Sequence, residues 1–348
     1  MTIETIKDHE DHTMIIRTSA PARAALVGNP SDGYFGKTIS FAFSDFKAEV
    51  TLWESPDLTI LPTRRDGLRY ESIDALVQDV SLFGYYGGVR LLKAAIKTFH
   101  SYAVQHGIRL DRRNFTVRCE STIPGLVGMA GSSAIVTAAY RALMSFYGVT
   151  IPKPELANII RATEEQELGI AAGLQDRVIQ VYGGLVYMDF DRKLLEGRGW
   201  GDYVPLDPAL LPPLYIAYRT DLSEASSVYH NSLKARYNAG DKAVVDAMKF
   251  WADLTEEARG CLERGDHKRL SELMDANFDK RAEVSHVSDE NKRMVAAARA
   301  CGASAKFTGS GGAIVGVCPD DATFARLETE LAKLKVKVFR PHPAPAEP

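Results

Sequence analysis

A loop rich in glycine and serine joins a predicted strand to a predicted helix, and it constrains the fold more than any other segment. The strand is expected over residues 115–122, the loop over 124–134 (PGLVGMAGSSA), and the helix from Ser133 onward, where apolar residues recur at helical spacing. Such a loop directs peptide N–H groups and the helix dipole toward one point, which predicts a phosphate site. It is neither a Walker A motif nor a dinucleotide fingerprint. A plain turn capped by Ser132 is the alternative.

A second glycine loop lies near the end of the sequence, in residues 307–317 (FTGSGGAIVGV). Alone it would fit a tight hairpin or a close crossing of two backbones. Together with the first loop and the acidic segment 164–184, it favours a nucleotide site. A carboxylate beside a phosphate loop can hold Mg²⁺ or accept the proton of an attacking hydroxyl.

The acidic segment holds Glu164, Glu165, Glu167 and Asp176. For the glutamates, and for Glu164 in particular, the charged face of a solvated helix is the simpler interpretation. Asp176 follows an apolar turn that contains glycine and precedes a predicted helix. It is therefore either an acid of the site or a helix N-cap.

A polar loop follows an apolar strand in residues 21–37. Its amide, carboxylate and hydroxyl groups suit a polyhydroxylated ligand, and they belong to Asn29, Ser31, Asp32 and Tyr34. Arg23 stands just before an apolar run. It either contacts a phosphate or carboxylate or is an ordinary surface arginine.

Composition narrows the function classes. With 348 residues, the chain predicts about two domains at roughly 150 residues each. The net charge of -3 lacks the basic excess typical of a nucleic-acid binder. Neither a signal peptide nor an apolar run long enough for a transmembrane helix is found. The four cysteines form no CxxC pair and no zinc spacing, which predicts a reducing compartment and hence the cytoplasm.

A composition shift marks the domain boundary. Residues 194–213 are rich in proline and glycine and separate two predicted domains. Helices are expected over 242–264 and 267–284, and a strand over 313–317. The final segment 341–348 (PHPAPAEP) is expected to be disordered.

The chain resembles the GHMP small-molecule kinase superfamily, which includes galactokinase, homoserine kinase and mevalonate kinase. The resemblance rests on three segments in the family's order, residues 20–32, 124–134 and 306–317. It implies an α+β fold of two domains with the active site between them. An N-terminal domain resembling domain 2 of ribosomal protein S5 is expected over 14–200, and a ferredoxin-like C-terminal domain over 210–340.

The resemblance also implies roles for residues. Asp176 would be the base, or the charge that orients the acceptor hydroxyl, and Arg23 would stabilise charge on the transferred phosphoryl group. Mg²⁺ would accompany ATP, with Ser133 and Glu165 as ligands. The nucleotide phosphates would be held by residues of the second motif, namely Pro124, Gly125, Gly128, Gly131, Ser132, Ser133 and Ala134. The substrate would contact Asn29, Asp32, Tyr34 and Gly311.

Within the superfamily, residues 28–41 and 167–190 are most similar to the group that phosphorylates D-glucuronate. As in that group, Asn29 and Pro30 replace the usual glutamate and histidine of the first motif, and the second motif is one residue longer than usual. The implied reaction transfers phosphate from ATP to the anomeric hydroxyl and yields a sugar 1-phosphate. That hydroxyl is more acidic than other alcohols, so one aspartate should suffice as base.

Several points stay open at the level of the sequence. A uronic acid requires a cation for its carboxylate, and the candidates are Arg64, Arg65, Arg177 and Arg219. Tyr85 and Tyr86 either line the pocket or belong to the core. The alternatives are a GHMP kinase for another sugar or a mevalonate-type alcohol, and a GHMP-fold binding protein without activity. Either a monomer or a homodimer is compatible, with no nucleic-acid or membrane partner.

Overall fold

Two long antiparallel strands organise the first half of the chain. The computed structural model describes residues 14–63, 66, 72, 87–220 and 233–347. In the second strand, Ala48, Val50 and Leu52 are buried and alternate with more exposed residues, as expected for a sheet with one covered face. The preceding stretch of that strand, from Thr38 to Phe43, is buried on both faces because helices from both halves of the chain contact it.

The first sheet has the order β3-β4-β2-β5-β6, with β1 paired along β2. Its strands are β1 (Ile15–Val27), β2 (Lys37–Ser55), β3 (Thr59–Ile60), β4 (Asn114–Ser121), β5 (Leu185–Asp189) and β6 (Asp202–Leu206). The helices of this half are α1 (Gly88–Gln105), α2 (Gly131–Tyr147), α3 (Lys153–Ala162), a π-helical turn (Thr163–Glu167), α4 (Gln175–Tyr182) and α5 (Arg192–Arg198). Helix α2 follows the phosphate-loop candidate and lies on β1 and β2.

The second sheet begins at Leu214, just after the segment predicted as the boundary, and has the order β10-β7-β9-β8. Its strands are β7 (Leu214–Tyr218), β8 (Lys306–Phe307), β9 (Ala313–Val317) and β10 (Lys337–Phe339). The helices of this half are α6 (Lys242–Arg264), α7 (His267–Val284), α8 (Asp289–Ala300) and α9 (Asp321–Ala332). Helices α6 and α7 match the predicted bounds. Among the described residues, no helix is both long and apolar enough to cross a membrane.

One hydrophobic core joins the two halves. Ile216 and Val315, from the second sheet, are buried in the same cluster as the residues of β1 and β2. The opposite face of the second sheet, with Tyr215 and Ile314, packs on α8 and α9 in a second cluster. The second sheet is therefore covered on both sides, and its loops are held firmly against β1.

The segment after β10 is ordered, so the expectation of disorder is wrong for residues 341–347, called here the tail strap. It leaves the second sheet and runs back over the first half of the chain. The Ala344 N–H donates to the Ala42 carbonyl over 2.8 Å, and the Glu347 N–H donates to the Tyr182 carbonyl over 2.7 Å. A Cβ on Gly183 would lie 2.5 Å from the Pro345 carbonyl, so only glycine leaves room for the strap there.

The tail strap also supplies a counter-charge to a buried arginine. Arg141 on α2 is buried, and its guanidinium lies 3.2 Å from the Glu347 carboxylate. Arg141 donates to the Gln180 carbonyl over 2.8 Å, and the Gln180 amide donates to the Ala130 carbonyl over 2.9 Å. Since Ala130 precedes α2 directly, the tail strap is linked to the phosphate-loop candidate through two side chains.

Replacing Glu347 with Gln should therefore destabilise the fold, because it leaves the buried Arg141 charge without its carboxylate. We expect a loss of about 2–3 kcal/mol in the free energy of unfolding, measured by urea denaturation. The control is Glu330→Gln, which breaks the exposed pair with Lys333 and should cost less than about 1 kcal/mol. Equal losses in the two variants would contradict this account of the tail strap.

Candidate active site

Arg23 lies where all three glycine-containing segments meet. Its Nε donates to Asp176 over 2.7 Å, and its Nη1 donates to the carbonyls of Gly128 over 2.6 Å and Thr308 over 2.7 Å. Arg23 is only 4% exposed, so its interpretation as a surface arginine is wrong. The guanidinium joins β1, the phosphate-loop candidate, the turn before β9 and the first turn of α4.

Asp176 is not a helix cap. Helix α4 begins at Gln175, its N-cap is Leu174, and no side chain caps it. The carboxylate of Asp176 accepts the Arg23 hydrogen bond and has a second oxygen 3.5 Å from the Arg177 guanidinium. Its side chain remains 17% exposed. The structure thus presents an oriented, partly accessible carboxylate beside the phosphate-loop candidate.

The phosphate-loop candidate, residues 124–130, leads into α2 without a side-chain cap. Ala130 is the N-cap, with a φ of 61°, so the interpretation as a turn capped by Ser132 is wrong. The Ser132 hydroxyl instead donates to Glu164 over 2.6 Å, and the buried Ser133 hydroxyl donates to the Ala130 carbonyl over 3.2 Å. Pro124, Gly125 and Gly128 are half-buried in the loop, while the half-buried Gly131 and the buried Ala134 lie in the first turn of α2.

Glu164 rather than Glu165 faces the loop. The π-helical turn after α3 carries both residues, and such turns are frequent at functional sites. Glu164 is fully buried, contacts Ser132 and accepts from the Arg177 Nε over 2.7 Å, so its interpretation as a solvated residue is wrong. The Glu165 carboxylate is 30% exposed and lies 2.9 Å from Arg161. Of the two glutamates, Glu164 is therefore the one that lies beside Ser132.

The pair formed by Ser132 and Glu164 fits a magnesium ion that is held mainly by nucleotide phosphates. Mg²⁺ prefers oxygen ligands and often uses only one or two protein carboxylates besides phosphate and water. The Ser132 hydroxyl and the Glu164 carboxylate can each supply an oxygen ligand beside the start of α2. Among the residues that the structure describes, no group of three or more His, Cys, Asp or Glu side chains could hold a metal alone.

Asp32 forms a second carboxylate beside Asp176. It accepts a hydrogen bond from the Gln175 N–H over 3.2 Å and lies against Gly173, where a Cβ would come within 2.0 Å of the carboxylate. The pKa of Asp32 is raised to about 6, mainly by burial and also by the neighbouring Asp176 charge, although the Gln175 N–H and the nearby guanidinium of Arg23 oppose the shift.

The remaining predicted substrate residues have unequal surroundings. Asn29 is buried, and its Oδ1 accepts no hydrogen bond from the described part of the chain. Tyr34 packs on Tyr237, with ring centroids 4.9 Å apart, within a small apolar cluster. Gly311 is buried near the Asn291 side chain. Asn29 therefore has a buried polar atom without a partner among the described residues, whereas Tyr34 contributes packing.

The arginines considered as partners of a substrate carboxylate also differ in their surroundings. Arg177 uses its guanidinium on Glu164 and on the Gly173 carbonyl. Arg219 lines a surface depression with Lys335 and Lys337. Four residues that the sequence suggested lie outside the described residues, namely Arg64, Arg65, Tyr85 and Tyr86.

Sequence reasoning missed Asn277 on α7. Its Oδ1 accepts from the Gly28 N–H over 2.6 Å and its amide donates to the Asn29 carbonyl over 3.0 Å. It thereby fixes the first-motif loop from the other half of the chain. An asparagine in an amphipathic helix gives no sign of such a long-range contact. Glu164 was misread because a period of 3.6 residues does not anticipate a π-helical turn.

Comparison with known proteins adds an independent line of support. Residues 90–184 match the profile of the GHMP kinases N terminal domain, and residues 258–336 match that of the GHMP kinases C terminal. The chain is 42% identical to Glucuronokinase 1 of Arabidopsis thaliana over 333 residues, covering 94% of this chain and 91% of that protein.

The chain belongs to the GHMP kinase family. It is 44% identical to Probable glucuronokinase 2 of Arabidopsis thaliana, over 89% of this chain and 86% of that protein. It also superimposes on galactokinase of Lactococcus lactis with a TM-score of 0.72 at 15% identity, covering 96% of this chain and 95% of that chain, which shows the same two-domain GHMP fold. The family predicted from three motifs is thereby confirmed, and this GHMP kinase is a phosphotransferase with an alcohol acceptor that uses ATP.

Two neighbouring variants distinguish the roles of Glu164 and Glu165 in this GHMP kinase. Glu164→Gln should lower kcat by about 100-fold or more, because it removes the buried charge beside Ser132. Glu165→Gln should stay within about threefold of the unchanged enzyme, because only ion pairs with Arg161 and Lys234 are lost. Steady-state kinetics over a range of Mg²⁺ concentrations provide the measurement.

Glu164→Asp serves as the second variant if the glutamine variant is poorly folded. It keeps the charge and should retain more activity than Glu164→Gln. A greater loss in Glu165→Gln than in either Glu164 variant would contradict the assignment.

Proposed function

We propose that this GHMP kinase transfers the γ-phosphoryl group of ATP to the anomeric hydroxyl of D-glucuronate, giving glucuronate 1-phosphate. The observation that carries the substrate is the identity of 42% to Glucuronokinase 1 over 94% of this chain. The site supports the reaction type, because an oriented carboxylate lies beside a glycine loop at a helix N-terminus.

Asp176 is the residue proposed to orient the sugar hydroxyl and to take its proton. Phosphoryl transfer has a loose transition state, so positioning and charge matter more than covalent chemistry. The hydrogen bond from Arg23 fixes the Asp176 carboxylate in one orientation. The same guanidinium also holds the Gly128 and Thr308 carbonyls, so Arg23 is proposed to act mainly by positioning.

Nucleotide phosphates are proposed to lie on the peptide N–H groups of residues 124–134. Ser132 and Glu164 would hold the Mg²⁺ that accompanies ATP, whereas the Ser133 hydroxyl, predicted as a ligand, is buried on the Ala130 carbonyl. That ion would neutralise charge on the phosphate oxygens when bound. The role of Glu164 is supported by its burial and by its hydrogen bond from Ser132.

The sugar is proposed to contact Asp32 and Asn29. Asp32 lies beside Asp176, and the free Oδ1 of Asn29 can accept from a sugar hydroxyl. All four cysteines are buried and free, which is compatible with the cytoplasmic location proposed from the sequence. A monomer or a homodimer would both accommodate this site.

A substrate panel tests the proposal. ADP release should be fastest with D-glucuronate, and slower with D-galacturonate, D-glucose, D-galactose and mevalonate. Methyl D-glucuronide is the matched control, because its anomeric oxygen is blocked while its carboxylate is kept. We expect no turnover of that compound, and an acid-labile sugar 1-phosphate as the product from glucuronate.

Three outcomes would overturn the proposal in different ways. Turnover of methyl D-glucuronide would assign the acceptor to another hydroxyl. Faster turnover of galactose or mevalonate than of any uronic acid would assign another substrate class. ATP binding without turnover of any compound would indicate a binding protein that has lost catalysis.

A further inference from the structure

The turn between β8 and β9 has an unusual arrangement of its carbonyl groups. Four successive carbonyl oxygens, from Phe307 to Ser310, each accept a hydrogen bond from a buried cation. The donors and distances are Lys306 to Phe307 (2.8 Å), Arg23 to Thr308 (2.7 Å), Arg281 to Gly309 (2.7 Å) and Arg281 to Ser310 (2.6 Å). Residues 307–310 are called here the cation-backed turn.

The three cations are costly to bury. Lys306, Arg23 and Arg281 are each at most 4% exposed. Both hydrogen bonds of the Lys306 ammonium go to carbonyls, and burial, reinforced by repulsion from Arg281 and Arg23, holds its pKa well below the ordinary value for lysine. A hairpin turn at a surface needs no such support, because water solvates its carbonyls. The cost of burying these charges indicates that the position of the turn is important for the site.

The cation-backed turn also touches the phosphate-loop candidate. A Cβ on Gly128 would lie 2.9 Å from the Ser310 nitrogen, and a Cβ on Gly312 would lie 3.2 Å from the Cα of Val127. A side chain at Gly128 would therefore force the two segments apart, and one at Gly312 would press on the loop. The backbone of residues 309–311 therefore lies directly against the loop that precedes α2.

Arg281 differs from Lys306 and Arg23 because it lies on a helix and holds two of the four carbonyls. It lies on α7, one helical turn after Asn277, which holds the first-motif loop. Each of its two terminal nitrogens donates a hydrogen bond to one of these carbonyls, and its guanidinium lies 4.7 Å from the centre of the Phe307 ring. The two hydrogen bonds and the ring together fix the plane of the guanidinium.

We propose that Arg281 is a positioning residue for nucleotide binding. By holding the Gly309 and Ser310 carbonyls, it sets the turn against Gly128 and thereby the shape of the loop that receives the phosphates. The inference depends on one part of the proposed function, namely that residues 124–134 bind ATP. It does not depend on which sugar is the acceptor.

The conservative variant Arg281→Lys tests this role. Lysine keeps the charge but cannot form two parallel hydrogen bonds from a fixed plane. We expect the Kd of Mg-ATP, measured calorimetrically without sugar, to rise about tenfold. The KM of the sugar, measured at saturating ATP, should stay within threefold. Hydrogen exchange of the amides in 125–131 and 307–312 should become faster.

Arg326→Lys is the matched control, because Arg326 donates with two nitrogens to the Cys301 carbonyl in the same half of the chain. It should leave the Kd of Mg-ATP unchanged. Phe307→Leu is the second variant if Arg281→Lys is poorly folded, and by removing the ring under the guanidinium it should raise that Kd about threefold.

An unchanged Kd of Mg-ATP in a folded Arg281→Lys or Phe307→Leu variant would overturn the inference. Equal weakening of ATP and sugar, matched by Arg326→Lys, would also overturn it and assign Arg281 a general role in stability. If the unchanged enzyme binds Mg-ATP but phosphorylates no uronic acid, the proposed substrate fails while the role of Arg281 stands.

Discussion

The guanidinium of Arg23 is the contact on which the rest of the site depends. Strand β1 pairs with β2 along one edge, and its other edge receives the two glycine loops, because the Arg23 N–H donates to the Met129 carbonyl and the Ala25 N–H to the Thr308 carbonyl. The side chain of Arg23 then adds hydrogen bonds to both loops and to Asp176. Segments that are more than 100 residues apart in sequence are thereby brought to one point.

Buried ion pairs occur at several places around the site, and each of them fixes the position of the side chains that form it. Arg177 is neutralised by Glu164, and Arg141 by Glu347 of the tail strap. Such pairs stabilise a fold little, but losing one partner leaves an uncompensated charge. They therefore hold groups in one place, which suits a reaction whose catalysis is mainly preorganisation. Together with the hydrogen bonds from Ser132 to Glu164 and from Arg141 to the Gln180 carbonyl, they join α2, the π-helical turn, α4 and the tail strap.

Asp32 shows that this arrangement has a cost. Its pKa is raised to about 6 in the folded chain, mainly by burial, with Asp176 adding to the shift. A raised carboxyl pKa means that folding is favoured most when the group is protonated. The stability that the protonated Asp32 carboxyl contributes to the fold is complete below its pKa in the unfolded chain, near 4. It is lost as the pH rises through about 6. At neutral pH the fold thus retains a carboxylate that weakens it, as expected for a group kept for binding or catalysis.

Much of this structure could be predicted from the sequence, and the failures have physical causes. Periodicity gave α6 and α7 their correct bounds, and glycine clusters located the loops. The tail strap was misread because proline usually excludes pairing. Here the Ala344 N–H donates to the Ala42 carbonyl, and Pro345 takes part as an acceptor, because its carbonyl receives the Gly184 N–H. The partners of buried charges, such as Glu347, are set by tertiary contacts that no local pattern encodes.

A double-mutant cycle on Arg23 and Asp176 tests the central claim most directly. Asp176→Asn should lower kcat by about 10³-fold and leave the Kd of Mg-ATP within threefold. Arg23→Lys should lower kcat by about 10²-fold, and the double variant should be no slower than Asp176→Asn within threefold, because Arg23 acts through the carboxylate. Losses that multiply in the double variant would contradict the account, since Arg23 would then act on the phosphoryl group independently of Asp176.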